Sequence, residues 1–258
     1  MTERSIQYLR SPSPEEALTL KEQFGEKTQL LFGGNFQPKL EEGVEVLIDL
    51  QDTSFDEVES TDSGLRFGGL ITLNYLAEIL DLADFSEALS IEFGLNVRNS
   101  LSLSNFLAHT SGRSPVLCCL EALGASVITL KHPEEVALFQ YIFERKQDDP
   151  VLNLLLTEPT GLAFESVGRS PKDLPIVCVA AAKTEDGAIR VAAGGSVQVL
   201  PGFTIASFDE DGQNEIKAAL SGAEDQWASA EYRREVGAIL LSRALQKLHL
   251  RAAKQEAR

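Results

Sequence analysis

Apolar and polar positions in the first eighty residues alternate in two distinct periods. Ser13-Pro14-Glu15-Glu16 combines a capping serine, a proline at the first helical position and a glutamate three residues after the cap. Ala17, Leu20 and Phe24 then share one face before Gly25, so the spacing predicts a helix lying on something apolar. Leu30-Leu31-Phe32 reads as a short buried strand that stops at Gly33-Gly34, and Val46-Leu47-Ile48-Asp49-Leu50 as a second. Thr61-Asp62-Ser63-Gly64 predicts a hairpin running into Leu65-Arg66-Phe67-Gly68-Gly69. Leu73, Leu76, Ala77 and Leu80 return to helical spacing, with Thr72 placed to cap that helix.

The later pattern is simpler. Residues Val136 to Phe143 read as helix, Glu144 to Pro150 as an exposed polar stretch, and Val151 to Leu156 as a strand. Glu158-Pro159-Thr160-Gly161 is turn chemistry, which divides the chain into an expected domain 1–157 and a smaller domain 158–258. Ile176 to Ala180 is a continuous apolar strand, Glu185-Asp186-Gly187 a turn, and Ile189-Arg190-Val191 its antiparallel return. Gly194-Gly195 reads as a bend or a close backbone approach, Arg169 and Lys172 as solvated charges, and Trp227 as a packing residue. From Ser229, the positions Tyr232, Val236, Ile239, Leu240, Leu245 and Leu248 mark a long closing helix, and Arg251 to Arg258 a frayed tail. The fold class is α+β.

Composition narrows the function classes. At 258 residues and 43% hydrophobic the chain buries a sizeable core, and a net charge of −16 argues against nucleic acid or an anionic membrane as partner. No apolar run reaches the roughly 20 residues that span a bilayer. Met1-Thr2-Glu3-Arg4-Ser5 lacks a signal-peptide core, which leads to the expectation of a cytoplasmic protein. Cys118, Cys119 and Cys178 suit neither a disulfide framework nor a metal motif and read as buried thiols. His109, His132 and His249 fall in no ligand spacing, so no metal is expected. No nucleophile elbow appears, and neither Cys118 nor Cys119 has a histidine nearby, which removes hydrolase readings.

Candidate chemistry centres on Phe32-Gly33-Gly34-Asn35-Phe36. Two glycines at the end of a buried strand remove Cβ where the chain turns, and such a turn can aim successive N–H groups at a phosphate. The plainer reading of the same residues is a tight turn.

The order of these pieces has a counterpart. Tyr8-Leu9-Arg10-Ser11-Pro12-Ser13-Pro14-Glu15-Glu16-Ala17, Leu31-Phe32-Gly33-Gly34-Asn35, Leu47-Ile48-Asp49-Leu50 and Leu65-Arg66-Phe67-Gly68-Gly69-Leu70-Ile71-Thr72-Leu73 resemble, in that order, the FAD-binding medium subunit of molybdenum hydroxylases. Asn96-Val97-Arg98-Asn99, Cys119 to Ala125, Val167 to Val177 and Tyr232-Arg233-Arg234 extend the resemblance over nearly the whole chain. It implies a two-part PCMH-type FAD-binding domain followed by a smaller domain of antiparallel sheet and helices. It also implies an oxidoreductase subunit in which FAD takes electrons from an iron–sulfur subunit and passes them to an acceptor, beside a molybdopterin-binding large subunit. Two loops would clamp the FAD pyrophosphate, the first at Phe32, Gly33, Gly34, Asn35 and Phe36, the second at Ser102, Ser104 and Asn105.

The second loop departs from the family's pattern, which reads roughly Arg-Gly-Thr-Ile-Gly-Gly-Asn. Here it is Ser100-Leu101-Ser102-Leu103-Ser104-Asn105-Phe106, with Leu101, Ser104 and Asn105 at the three glycine positions. Replacing a glycine at positive φ costs on the order of 1 kcal/mol or more. The stretch His109 to Pro115 also lacks the acidic residue expected near the flavin. Two readings follow. In one, Ser102, Ser104 and Asn105 line the flavin groove with hydroxyls and an amide. In the other, this segment is a strand with Leu101 and Leu103 alternating into the core, and the chain is a flavin-free structural or docking subunit. A stand-alone flavin reductase is a third possibility.

Overall fold

Three sheets with helices packed on them make up the described residues. The computed structural model describes residues 6–33, 42–53, 55–145, 149–157, 161–170, 173–184, 187–205 and 210–256. The first unit runs β1 (Gln7–Arg10), α1 (Pro14–Phe24), β2 (Thr28–Leu31) and β3 (Val46–Asp49). Ser13 caps α1 by accepting from the Glu16 N–H at 3.2 Å, and Gly25 at φ 63 ends it, as the local sequence predicts. The strands are parallel in the order β1-β3-β2, and α1 carries the chain from one edge strand, β1, to the other, β2. Ala17 packs with Phe32, Val46, Ile48 and Leu50 under that helix.

The second unit is larger. It comprises β4 (Val58–Thr61), β5 (Gly64–Gly68), α2 (Leu73–Leu80), α3 (Ala83–Glu92), α4 (Leu95–Arg98), α5 (Leu103–His109) and α6 (Pro115–Ala122). Then follow β6 (Ser126–Thr129), β7 (Val136–Ala137), α7 (Leu138–Glu144) and β8 (Val151–Leu156). Its strands form an antiparallel sheet in the order β4-β5-β8-β6-β7, and the predicted hairpin is the β4–β5 pair. Thr72 caps α2 by accepting from the Tyr75 N–H at 3.2 Å.

The third sheet holds β9 (Leu162–Val167), β10 (Val177–Lys183), β11 (Ile189–Gly194) and β12 (Phe203–Ile205), antiparallel in the order β12-β11-β10-β9. Helices α8 (Glu210–Ala219) and α9 (Ala230–Glu256) complete the chain. Along β10, Val177, Val179 and Ala181 join the cluster under α8 and α9, whereas Cys178, Ala180 and Ala182 join the cluster around α3 and α6. Both faces of the strand are covered, which is why its sequence shows an unbroken apolar run. The three cysteines are free and buried, as expected.

At the carboxy-terminal end the expected frayed tail is helical as far as Glu256, through which α9 continues. Arg251 donates to Asp84 of α3 and, at 2.7 Å, to the Leu162 carbonyl. Lys247, one turn earlier, pairs with Glu165 at 2.6 Å. Arg251 and Lys247 are thus held by partners distant in sequence.

Candidate functional site

The first wall of the candidate site grows from the end of β2. Leu50 donates to the Leu31 carbonyl at 3.0 Å, Phe32 is buried, and Gly33 follows at φ 75. Gly34, Asn35 and Phe36 lie outside the described residues. A Cβ at Gly33 would overlap Ser102 Oγ and come within 2.6 Å of Ser102 Cβ. Glycine is thus required twice, by its backbone angle and by the side chain that presses on it.

Ser102 belongs to the second wall. That wall begins as a short antiparallel bridge between Thr72 and Ser102, where Leu73 donates to the Leu101 carbonyl at 3.0 Å. It then turns directly into α5. Ser102 caps the helix, its Oγ accepting from the Asn105 N–H at 3.3 Å and donating to the Phe32 carbonyl at 3.4 Å. Leu103 donates to the Ile71 carbonyl and Ser104 to the Gly69 carbonyl, both at 2.9 Å, and Phe106 donates to the Ser102 carbonyl at 2.9 Å. Phe32, Gly33 and Ser102 are therefore brought to one point, with Ser104 and Asn105 in the adjoining helical turn and buried.

Two readings of this segment need correction. It is not a strand beyond Ser102: a serine cap followed by small polar residues starts a helix, and that local signal prevails over the Leu-Ser-Leu-Ser alternation. Leu101 and Leu103 are nonetheless fully buried, and Phe106 meets Phe93 edge-on with ring centroids 5.9 Å apart. The backbone cost expected for replaced glycines is also absent, since among the described residues Asp81 is the only non-glycine at positive φ. Leu101, Ser104 and Asn105 stand in ordinary backbone conformations.

The segment after α5 turns toward the third sheet. Gly112 donates to the Val197 carbonyl at 3.3 Å and accepts from the Gly195 N–H at 2.8 Å. A Cβ at Gly112 would overlap the Gln198 carbonyl, and one at Gly195, which has φ 101, would overlap the Ile176 carbonyl. Arg113 and Arg169 both lie over the Trp227 ring, 4.8 and 4.2 Å from its centroid. Arg169 also pairs with Asp173 at 3.4 Å, so it is more than a solvated charge, while Lys172 lies outside the described residues. Gly68 and Gly69 are packing glycines, pressed against the Phe55 and Val151 carbonyls.

On α6, beside Arg190 and Gly202, lies a group that no local sequence signal announces. Burial pushes the Glu121 carboxyl on α6 up to about 7, against the lowering pull of Arg190 and of the Gly202 N–H. Its Oε1 is buried with no hydrogen-bond partner among the described residues. Among the described residues no group of three or more His, Cys, Asp or Glu could hold a metal ion, and no helix is long and apolar enough to cross a membrane.

A pyrophosphate clamp needs N–H groups converging on a shared space. On the second wall the N–H groups of Leu103, Ser104, Asn105 and Phe106 all end on protein acceptors, and Ser102 occupies the space against Gly33. This wall does not fit the phosphates of FAD.

Residues 4–153 match the family model described as the FAD binding domain in molybdopterin dehydrogenase. The chain belongs to this family. The resemblance read from the sequence is thereby confirmed, and the family's fold extends beyond the matched residues. A chain of the Cu,Mo-containing CO dehydrogenase in its cyanide-inactivated form superposes with a TM-score of 0.71 at 18% identity, covering 95% of this chain and 98% of that one. Quinoline 2-oxidoreductase from Pseudomonas putida 86 gives 0.71 at 17% identity over 96% and 98% of the two chains. The CO dehydrogenase of Hydrogenophaga pseudoflava that lacks the Mo-pyranopterin moiety gives 0.67 at 18% identity over 95% and 98%. At these identities the likeness establishes the fold, α+β as expected. No curated protein matches the chain by sequence.

Proposed function

We propose that this chain fills the flavin-subunit position of a molybdenum hydroxylase-type oxidoreductase, docked against an iron–sulfur subunit and a molybdopterin-binding large subunit in the cytoplasm. The observation that carries the placement is the end-to-end correspondence of this chain with a whole chain of CO dehydrogenase, 95% of one against 98% of the other. We also propose that the division at residues 157 and 158 separates the family's two parts without making them independent, because one apolar cluster joins Phe67 and Leu154 to Phe164 and Ala180.

Within that position the family supports an electron-transfer role, FAD supplying the redox chemistry between the iron–sulfur subunit and an acceptor. Phe32, Gly33, Gly34, Asn35 and Phe36 are the residues that would hold it on the first wall. The occupied N–H groups at the start of α5 motivate a second reading, a docking subunit without flavin. The test is to purify the chain through tagged partner subunits and record a visible spectrum before and after denaturation. Co-purification supports the placement, and its absence removes it. Releasable flavin near one per chain supports electron transfer through FAD, whereas a colourless chain leaves docking.

A further inference from the structure

We propose that residues 100–106 form a clamp between the first two sheets that takes the place of a phosphate wall, so that this chain reaches its native form without FAD. The inference takes from the second reading only the absence of flavin, and rests on the contacts of this segment, independent of any complex.

Four observations converge on it. The donors a phosphate would need are engaged: Leu103 with Ile71, Ser104 with Gly69, Asn105 with Ser102 Oγ and Phe106 with the Ser102 carbonyl. The side chains at the former glycine positions have found places in the protein, Leu101 in the core and Ser104 and Asn105 inside a capped helical turn. Ser102 touches both sides of the junction, holding the start of α5 with one hydrogen bond and the Phe32 carbonyl with another, and its side chain fills the room that Gly33 leaves. The continuation of the wall is tied down as well, because Gly112 is paired on both its N–H and its carbonyl with the segment at Gly195 and Val197. A dinucleotide phosphate entering here would have to break these hydrogen bonds, and a retreat of the wall would disturb the Gly112 pairing as well.

The same contacts explain why the glycines were dispensable. A phosphate wall needs bare backbone in unusual conformations. A helix start needs a cap and ordinary angles, which Ser102, Ser104 and Asn105 supply.

The experiment uses the full chain with FAD as the probe. Amide hydrogen exchange on the flavin-free chain is expected to show Leu103, Ser104 and Phe106 protected, and equilibrium dialysis is expected to show no retained FAD and no rise in melting temperature. Ser102→Ala is expected to lower the melting temperature by several degrees, with FAD still without effect. Near-stoichiometric FAD, a melting temperature raised by FAD, or freely exchanging amides at 103 and 104 would each overturn the clamp. Loss of co-purification with partner subunits would instead remove the placement proposed above and leave the clamp standing, so the two ideas fail separately.

Discussion

Arg233 donates through Nη2 to Asp225 Oδ1 at 2.8 Å, with its guanidinium fully enclosed. The same side chain donates to the carbonyls of Ile176 at 2.9 Å, Ala223 at 2.5 Å, Ala228 at 3.2 Å and Gly195 at 3.2 Å. One planar cation thus fixes the start of β10, the bend at Gly195 and the loop ahead of α9. Hydrogen bonds from Arg233, together with donors from the Trp227 and Ala228 backbone, hold the Asp225 carboxyl below its usual range against the opposing effect of its burial.

Arg233→Ala is therefore expected to destabilise the chain by about 3 to 5 kcal/mol, because it leaves buried carbonyls without their donor and the Asp225 carboxylate without its counter-charge. Arg233→Lys should recover little of this, since an ammonium cannot span acceptors arranged around a planar fork. Urea denaturation of both variants checks the ranking. A lysine variant as stable as wild type would show that charge alone matters.

Stability should also depend on pH through Glu121. Its carboxyl titrates near 7 in the folded chain and near its ordinary value when unfolded, so the folded state holds the proton longer. As pH rises from about 4.5 to about 7, unfolding releases that proton and stability falls by on the order of 2 kcal/mol, levelling off above. Glu121→Gln keeps the shape and removes the charge. It is expected to match wild type near pH 4.5 and exceed it at pH 8, as read from melting curves across that range.

How far the sequence announces this architecture differs from place to place. Ser13 and Thr72 cap the helices that their neighbours predict, because capping is a contact over three residues and needs no tertiary information. The β10 run is legible as buried, though its two covering layers are not, since those depend on α6 and α9 arriving from opposite directions along the chain. Ser102 is where local reading fails. Leu101 and Leu103 alternate like a strand and mask the local cap at Ser102, and only the meeting with Gly33, some seventy positions away, shows the serine acting as spacer too. Gly34, Asn35 and Phe36 lie outside the described residues, so their part of the candidate site rests on the sequence resemblance.

The paired glycines of the 112–195 contact give a sharper test of packing. Gly195→Ala places a Cβ onto the Ile176 carbonyl at a backbone angle that side chains avoid, and a cost of roughly 3 kcal/mol is expected from strain and overlap together. Gly112→Ala meets the Gln198 carbonyl more closely still but at an ordinary angle, so its loss comes from overlap alone and is expected at about 1 to 3 kcal/mol. Denaturation midpoints of the two variants check both losses. A Gly195→Ala chain as stable as wild type would show that neither the angle nor the overlap matters there.

Asp84 and Arg251 join α3 to the end of α9, with Lys247 3.8 Å from the same carboxylate. A double-mutant cycle with Asp84→Asn and Arg251→Ala should return a coupling of about 1 to 3 kcal/mol, as expected for a pair whose acid is buried. Additive losses would show that each residue contributes through its other contacts.

The Asp84–Arg251 link also sets a timetable for biosynthesis. A nascent chain leaving the ribosome cannot cover the outer side of β9 and β10, or satisfy Asp84, until the helix carrying Arg251 has emerged. A nascent or early-terminated chain that lacks this helix would expose those strands to chaperones and proteases.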